Sequence, residues 1–161
     1  MIEEVKAPEI YDTNGKVVIF CAGSIEQGTA TKWSQQVVEL FQEDGNNYLL
    51  LNPRRDKWDS SLKQDINNYT FREQVEWELD GLYKAKYIIM YLEPDTKSPI
   101  SLLELGLHAN SGKLLVCCPE GFWRKGNVDI VCARYGIKMF KNLKYIVAHI
   151  QLTEALNKKN K

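Results

Sequence analysis

The sequence has 161 residues, so we expect one domain over residues 1–161 with a sizeable core and a mobile tail from about residue 156 to residue 161. Its 21 basic and 21 acidic residues cancel, so the overall charge favours neither nucleic acid nor an acidic membrane surface as a partner. The four cysteines have no CxxC spacing, so we expect reduced cysteines in a cytoplasmic protein and no disulfides. With only two histidines, a metal site is not expected. No apolar run reaches the roughly 18 residues that a membrane span needs.

Strand-like and helical segments alternate along the chain. Short apolar runs predict five strands, at residues 16–22, 47–52, 87–92, 113–118 and 137–140. Segments with helical periodicity predict helices at residues 30–43, 69–84, 128–135 and 142–157, with a further helix beginning at Pro99. Continuous apolar strands separated by helices are typical of a parallel sheet covered on both faces. We therefore predict an α/β fold with one doubly wound (flavodoxin/Rossmann-like) domain, whose five strands have the order 2-1-3-4-5.

Ligands of doubly wound folds bind beyond the carboxyl ends of the parallel strands. In this chain the loops at that edge are predicted at residues 22–29, 53–66, 93–98 and 119–127. Residues that carry chemistry are therefore expected in these loops or on the helices that begin there.

Glu104 is the one acidic residue between Ser98 and Ala109. Ser98 fits the N-cap of a helix, and Pro99 fits its first position. The helix is apolar on nearly all sides, so we expect it to be buried. A carboxylate there must find a partner, change its pKa or take part in chemistry. Because Glu104 lies in the second turn, near the positive helix end, we expect it to stay ionised, as a carboxylate nucleophile must be.

Glu78 interrupts the apolar stripe of the predicted helix at residues 69–84. Burial there raises the pKa of its carboxyl, and a carboxyl that is protonated near neutral pH can act as a general acid. The alternative is a structural ion pair with Arg54, Arg55 or Arg72. An ionised carboxyl and a protonated one together are what retaining cleavage of a glycosidic bond requires.

The predicted ligand loops contain weaker signals. The stretch from Gly23 through Ser24 to Gly28 is similar to a phosphate-binding turn, but it is not GxGxxG and has no Walker lysine, so a plain tight turn is an equal alternative. Trp58 lies in another of these loops, where an indole ring can stack on a nucleobase.

Several segments stand out together: Phe-Cys-Ala-Gly-Ser-Ile at 20–25, Asn-Pro-Arg-Arg-Asp at 52–56, Trp-Glu-Leu at 77–79, Glu-Leu-Gly-Leu-His-Ala at 104–109, and the stretch 118–129. These segments resemble the nucleoside 2-deoxyribosyltransferase family, in particular its small 2-deoxyribosyltransferase-like branch, over residues 17–135. The resemblance implies an enzyme that cleaves the N-glycosidic bond of a 2′-deoxynucleoside and needs neither a cofactor nor a metal.

The resemblance also implies roles for single residues. Glu104 matches the family's nucleophile, which attacks C1′ and forms a covalent deoxyribosyl-enzyme that a second base or water resolves. Glu78 falls where the family keeps an acid, usually aspartate, that handles the proton of the departing base.

The substrate-binding residues expected on the same basis are Gly23 and Ser24 on the sugar side, Ser98, and Arg55 and Trp58 towards the base.

Asn127 matches a position from which family members reach into the pocket of a neighbouring subunit. The resemblance therefore implies a homo-oligomer, at least a dimer, with a shared active site. The alternative is that Asn127 is the N-cap of the helix that follows. Glu26 replaces an arginine that binds phosphate in related monophosphate glycosidases. An acid there would repel phosphate and favour unphosphorylated nucleosides, although Arg54 and Arg55 could contact phosphate from another loop.

Two other functions stay open. A nucleoside or nucleoside 5′-monophosphate N-glycosidase would share the first half-reaction but release free sugar, and the difference depends on how well water is excluded. A non-catalytic nucleotide-binding module would keep the pocket without turnover. The presence of both Glu104 and Glu78 argues against that module.

Overall fold

The computed structural model describes residues 1–25, 30–57, 59 and 61–160. Within them, six parallel strands form one sheet: Ile2–Lys6 (β1), Val17–Gly23 (β2), Tyr48–Asn52 (β3), Tyr87–Tyr91 (β4), Leu114–Cys117 (β5) and Lys138–Met139 (β6). The helices of the same residues are Trp33–Leu40 (α1), Tyr69–Lys84 (α2), Pro99–His108 (α3), Lys125–Tyr135 (α4) and Leu143–Lys159 (α5). Across the sheet the strand order is β1-β3-β2-β4-β5-β6.

The predicted doubly wound α/β fold is confirmed, and the five predicted strands are β2 to β6 in the predicted relative order. The predicted number of strands is wrong, because β1 adds a sixth strand beside β3 at the edge of the sheet. This strand has no continuous apolar run, since it contains Glu3, Glu4 and Lys6. Its charged side chains find partners on the neighbouring strands and loops. For example, Asn52 Nδ2 donates a 2.8 Å hydrogen bond to Glu4 Oε1.

The helices divide between the two faces of the sheet. Buried side chains of α2, α3 and α4 pack on one face, and those of α1 and α5 pack on the other. None of the helices in the described part of the chain is both long and apolar enough to cross a membrane.

The prediction that the Glu104 helix is buried is wrong for its outer side. The side chains of α3 that face the sheet layer are buried, namely Ser101, Glu104 and Leu105. Three apolar side chains of α3 point outward, with exposed fractions of 58%, 58% and 59% for Ile100, Leu103 and Leu107. A surface helix has one side against the sheet, so apolar residues all round leave an uncovered stripe.

Helix α2 lies unusually close to the sheet at one point. A Cβ atom at Gly81 would lie 2.8 Å from two ring atoms of Phe20 in β2 and 3.3 Å from Leu51 Cδ1 in β3. Glu78 precedes Gly81 by three residues and therefore shares its side of the helix. The close approach at Gly81 thus sets how far Glu78 is held from the sheet.

Candidate functional site

Two carboxyl groups form the centre of the candidate site. Glu104 on α3 is 7% exposed, and Glu78 on α2 is half-buried. Helices α2 and α3 both pack against β2. The negative charge of Glu78 acts directly on the carboxyl of Glu104, so the fold brings the two predicted catalytic residues within electrostatic reach of each other.

Both carboxyls hold their protons more tightly than an exposed glutamate does. Burial raises the pKa of Glu104 to about 8, and the charge of Glu78 contributes to the rise. Burial raises the pKa of Glu78 to about 7, against the opposing effects of a hydrogen bond from Gln74 and the charge of Arg55. The desolvated pair therefore retains protons near neutral pH.

The expectation that Glu104 stays ionised is wrong, because burial, with a contribution from the charge of Glu78, raises its pKa to about 8. The raised pKa of Glu78 has the predicted direction. The favourable field of a helix N-terminus falls off within the first turn, and Glu104 lies beyond that turn in Pro99–His108.

Glu78 is tied to the loop after β3 by a chain of hydrogen bonds. Arg55 Nε donates to Gln74 Oε1 over 2.5 Å, and Gln74 Nε2 donates to Glu78 Oε1 over 2.6 Å. The alternative prediction for Glu78 is a structural ion pair with an arginine. Arg55 is connected to Glu78 only indirectly, through the side chain of Gln74. Arg54 donates to two backbone carbonyls, and Arg72 pairs with another glutamate of α2.

Gln74 is a site residue that our sequence analysis missed. It is 4% exposed and lies one helical turn before Glu78. A signal was present, because Gln74 is a polar residue at i−4 from Glu78 on a side of the helix that faces the core.

Arg55 has an unused donor inside the protein. Its Nη2 atom is buried and has no hydrogen-bond partner among the residues that the structure describes. A buried donor without an acceptor costs about 1–3 kcal/mol, and more when the group is charged. An acceptor atom of a bound molecule would remove this cost.

The predicted binding residues Ser24 and Ser98 meet in a cluster of hydroxyl groups. Ser24 Oγ accepts a 2.8 Å hydrogen bond from the backbone N–H of Glu93 and lies 2.6 Å from Ser98 Oγ and 2.9 Å from Thr96 Oγ1. Ser98 occupies the predicted N-cap of α3, but its φ is +47° and its side chain does not cap the helix. The hydroxyls instead tie the loops after β2 and β4 to the start of α3.

Gly23 ends β2 at a point where a side chain does not fit. A Cβ there would lie 2.4 Å from the carbonyl oxygen of Tyr91 and 2.7 Å from the ring of Trp33. The indole Nε1 of Trp33 donates to the carbonyl oxygen of Ser24 over 2.9 Å. The close packing around Gly23 and Ser24 therefore fixes the backbone at the carboxyl end of β2.

The remaining predictions concern two loops and α4. Glu26, Gly28 and Trp58 lie outside the described residues. Asn127 is exposed, and the alternative that it is an N-cap is wrong, because α4 begins at Lys125 with Arg124 at the N-cap position. Asn127 therefore projects from the first turn of α4.

Comparison with protein families supports the resemblance. The family described as "Nucleoside 2-deoxyribosyltransferase like" matches residues 16–122, which is more than half of the chain and includes Glu78, Glu104 and Arg55, whereas Asn127 lies beyond the match. A comparison with curated proteins finds no match. Both carboxyl residues of the site thus lie within the matched segment, and the chain belongs to the nucleoside 2-deoxyribosyltransferase-like family.

Proposed function

We propose that this protein is an enzyme that cleaves the N-glycosidic bond of a 2′-deoxynucleoside and transfers the deoxyribosyl group to another base. The observation that carries the proposal is the coupled pair of Glu104 and Glu78, two carboxyls with raised pKa values on adjacent helices. Perturbed titratable groups of this kind cluster at functional sites. Membership of the family supports the same class of reaction.

In the first half-reaction, a carboxylate oxygen of Glu104 bonds to C1′ while the bond from C1′ to the base nitrogen breaks. The electron pair of the broken bond goes to the base, which takes a proton from Glu78. The products are a deoxyribosyl ester of Glu104, an ionised Glu78 and a free base.

In the second half-reaction, a nitrogen of the incoming base attacks C1′ and gives up its proton to Glu78. The ester bond breaks, and its electron pair returns to Glu104. The reactive state of the pair holds one proton, on Glu78. The transition state favours this arrangement because the positive charge that develops at C1′ is stabilised by the Glu104 carboxylate, while the departing base accepts a hydrogen bond from Glu78.

Arg55 supplies the contact to the base end of the substrate in this proposal. Its buried Nη2, which has no hydrogen-bond partner within the described part of the chain, suits a carbonyl oxygen or ring nitrogen as acceptor. Gly23, Ser24 and Ser98 form the sugar side, where the packed end of β2 and the hydroxyl cluster hold the backbone rigid. Trp58 is proposed to face the base from the same loop as Arg55.

The test is mass spectrometry of the intact protein mixed with deoxynucleosides. We expect an adduct of the mass of a deoxyribosyl group on Glu104, which is absent in Glu104→Ala. We expect Glu78→Gln to slow release of the base by roughly 10²- to 10⁴-fold, the range for loss of a general acid, and most strongly for poor leaving groups.

The products distinguish the proposed transferase from its alternatives. A new nucleoside formed from an added base identifies a transferase, and free deoxyribose in the presence of that base identifies an N-glycosidase. A nucleoside that raises the melting temperature but stays intact for hours identifies a binding module, and the proposal is then wrong.

We further propose that the enzyme is a homo-oligomer in which Asn127 reaches the site of a neighbouring copy. Two observations support this: the exposed position of Asn127 on α4 and the uncovered apolar stripe of α3, the helix that carries Glu104. Apolar stripes of this kind are typical of surfaces that another protein covers.

A further inference from the structure

Gln74 has three hydrogen-bond partners inside the protein. Its Oε1 accepts from Arg55 Nε over 2.5 Å, and its Nε2 donates to the carbonyl oxygen of Pro53 over 2.9 Å and to Glu78 Oε1 over 2.6 Å. The side chain is 4% exposed. A buried amide with this many partners has one position and one orientation.

The chemistry of the partners determines which way the amide faces. The guanidinium of Arg55 can only donate, and the carbonyl of Pro53 can only accept. Turning the amide over would place its N–H group against Arg55 and its oxygen against Pro53, so two hydrogen bonds would become two repulsive contacts. The N–H group of Gln74 therefore faces Glu78.

A protonated carboxyl has one oxygen that carries the proton and one that does not. Because Glu78 Oε1 accepts the hydrogen bond from Gln74, a proton on Glu78 belongs on the other oxygen, Oε2. On the basis of the function proposed above, we propose that Gln74 is a positioning residue that holds the general-acid proton on Oε2 of Glu78, ready for the departing base.

The same contact changes how easily Glu78 ionises. Burial opposes the ionisation of Glu78, and the charge of Arg55 from the loop after β3 favours it. The other titratable group beside it is the carboxyl of Glu104 on α3, on which the charge of Glu78 acts. The N–H group of Gln74 also favours ionisation of Glu78, because a hydrogen bond donated to a carboxylate stabilises the charged form. Without Gln74, Glu78 should therefore lose its proton at a higher pH.

Two variants test the role of Gln74. Gln74→Met keeps the length of the side chain and removes all three hydrogen bonds. Gln74→Glu keeps an acceptor for Arg55, removes the donor to Glu78 and adds a like charge beside it. The measurements are an NMR titration of the carboxyl carbons in protein labelled with ¹³C-glutamate, where Glu78→Gln assigns the signal, and the pH profile of base release.

We expect the titration midpoint of Glu78 to rise by about one pH unit in Gln74→Met and by more in Gln74→Glu. The alkaline limb of the base-release profile should move in the same direction. Circular dichroism checks that each variant folds, and Gln74→Glu, which keeps the contact to Arg55, provides the test if Gln74→Met does not.

The matched control is Gln35→Met on α1. Gln35 Nε2 donates to Glu39 Oε1 over 3.3 Å at the same spacing of four residues, but on the protein surface. This control should leave the midpoint of Glu78 unchanged.

If the Gln74 variants leave both the titration midpoint of Glu78 and the alkaline limb of the base-release profile unchanged, Gln74 only fills space and the inference is wrong, even where activity falls. If the midpoint rises but the wild-type protein converts no nucleoside, the proposed function fails and the proton assignment stands.

Discussion

Ionising Glu104 inside the folded chain is harder than in water, because the carboxylate loses its hydration and gains the repulsion of Glu78. The protein nevertheless has a glutamate at this buried position of α3, where glutamine would have the same shape and no charge. Such a group lowers stability at any pH at which the unfolded chain would ionise it. The site therefore has a pH-dependent signature that can be measured without any substrate.

We predict that Glu104→Gln stabilises the protein at pH 8 more than at pH 5. The folded state raises the pKa of Glu104 from 4.5 to about 8, so the protonated form is the one that the fold favours. Its contribution to stability is complete below pH 4.5 and is lost as the pH rises towards 8. We expect the variant to gain roughly 2–4 kcal/mol in the free energy of unfolding at pH 8 relative to wild type.

Urea unfolding of both proteins at the two pH values provides this measurement. Glu73→Gln on the exposed side of α2 is the control, and it should change the free energy of unfolding by the same amount at pH 5 and at pH 8. A gain for Glu104→Gln that does not grow with pH would show that the carboxyl is solvated in the folded protein.

Helix α2 carries both Glu78 and Gln74, and its distance from the sheet determines where these side chains lie. The close approach at Gly81 leaves no room for a methyl group against the ring of Phe20. A larger residue there would push the helix outward and move Glu78 away from Glu104.

We therefore predict that Gly81→Ala lowers the free energy of unfolding by about 1–3 kcal/mol, the usual cost of overpacking, and slows base release. The control is Gly126→Ala in α4, where a Cβ meets nothing within 4 Å. Because alanine favours a helix over glycine, this control should be neutral or raise stability by up to about 1 kcal/mol. Thermal and urea unfolding measure both effects, and equal stability of the two variants would contradict the predicted contact between α2 and β2.

On the outside of the whole molecule, helix α3 leaves three apolar side chains uncovered. Helix α3, between α2 and α4, presents an apolar stripe at spacings of three and four residues. A second copy of the chain would cover this stripe and bring an exposed α4 near the carboxyl pair, as the proposed shared site requires.

Leu103→Glu places a charge in the middle of that stripe. We predict that it abolishes self-association in analytical ultracentrifugation and lowers activity per chain, because a charge is costly to bury in an apolar interface. Leu152→Glu on α5 is the matched control: Leu152 is 62% exposed and lies on a helix that covers the other face of the sheet. An oligomer that persists in Leu103→Glu at the wild-type concentration would rule out α3 as the interface.

Features that depend on neighbours along the chain were predictable. The apolar runs of β2 to β6 and the helical periodicity of α2 indicated the parallel sheet and its order, because burial on both faces requires continuous apolar strands. The motif around Glu104 and the misplaced acid at Glu78 identified the carboxyl pair. Strand β1 was missed because its charged residues are satisfied by partners far away in the sequence, such as Asn52.

Properties that depend on distant groups could be decided only once the chain was folded. How tightly Glu78 and Glu104 hold their protons depends on burial, on Gln74 and Arg55, and on the field between two helices, and none of these is visible in a local pattern. The outer side of α3 was wrongly predicted to be buried, because apolar composition does not determine how many sides of a helix the rest of the chain can cover. Local composition thus determines which segments become strands and helices, whereas burial and charge depend on what the fold brings next to each residue.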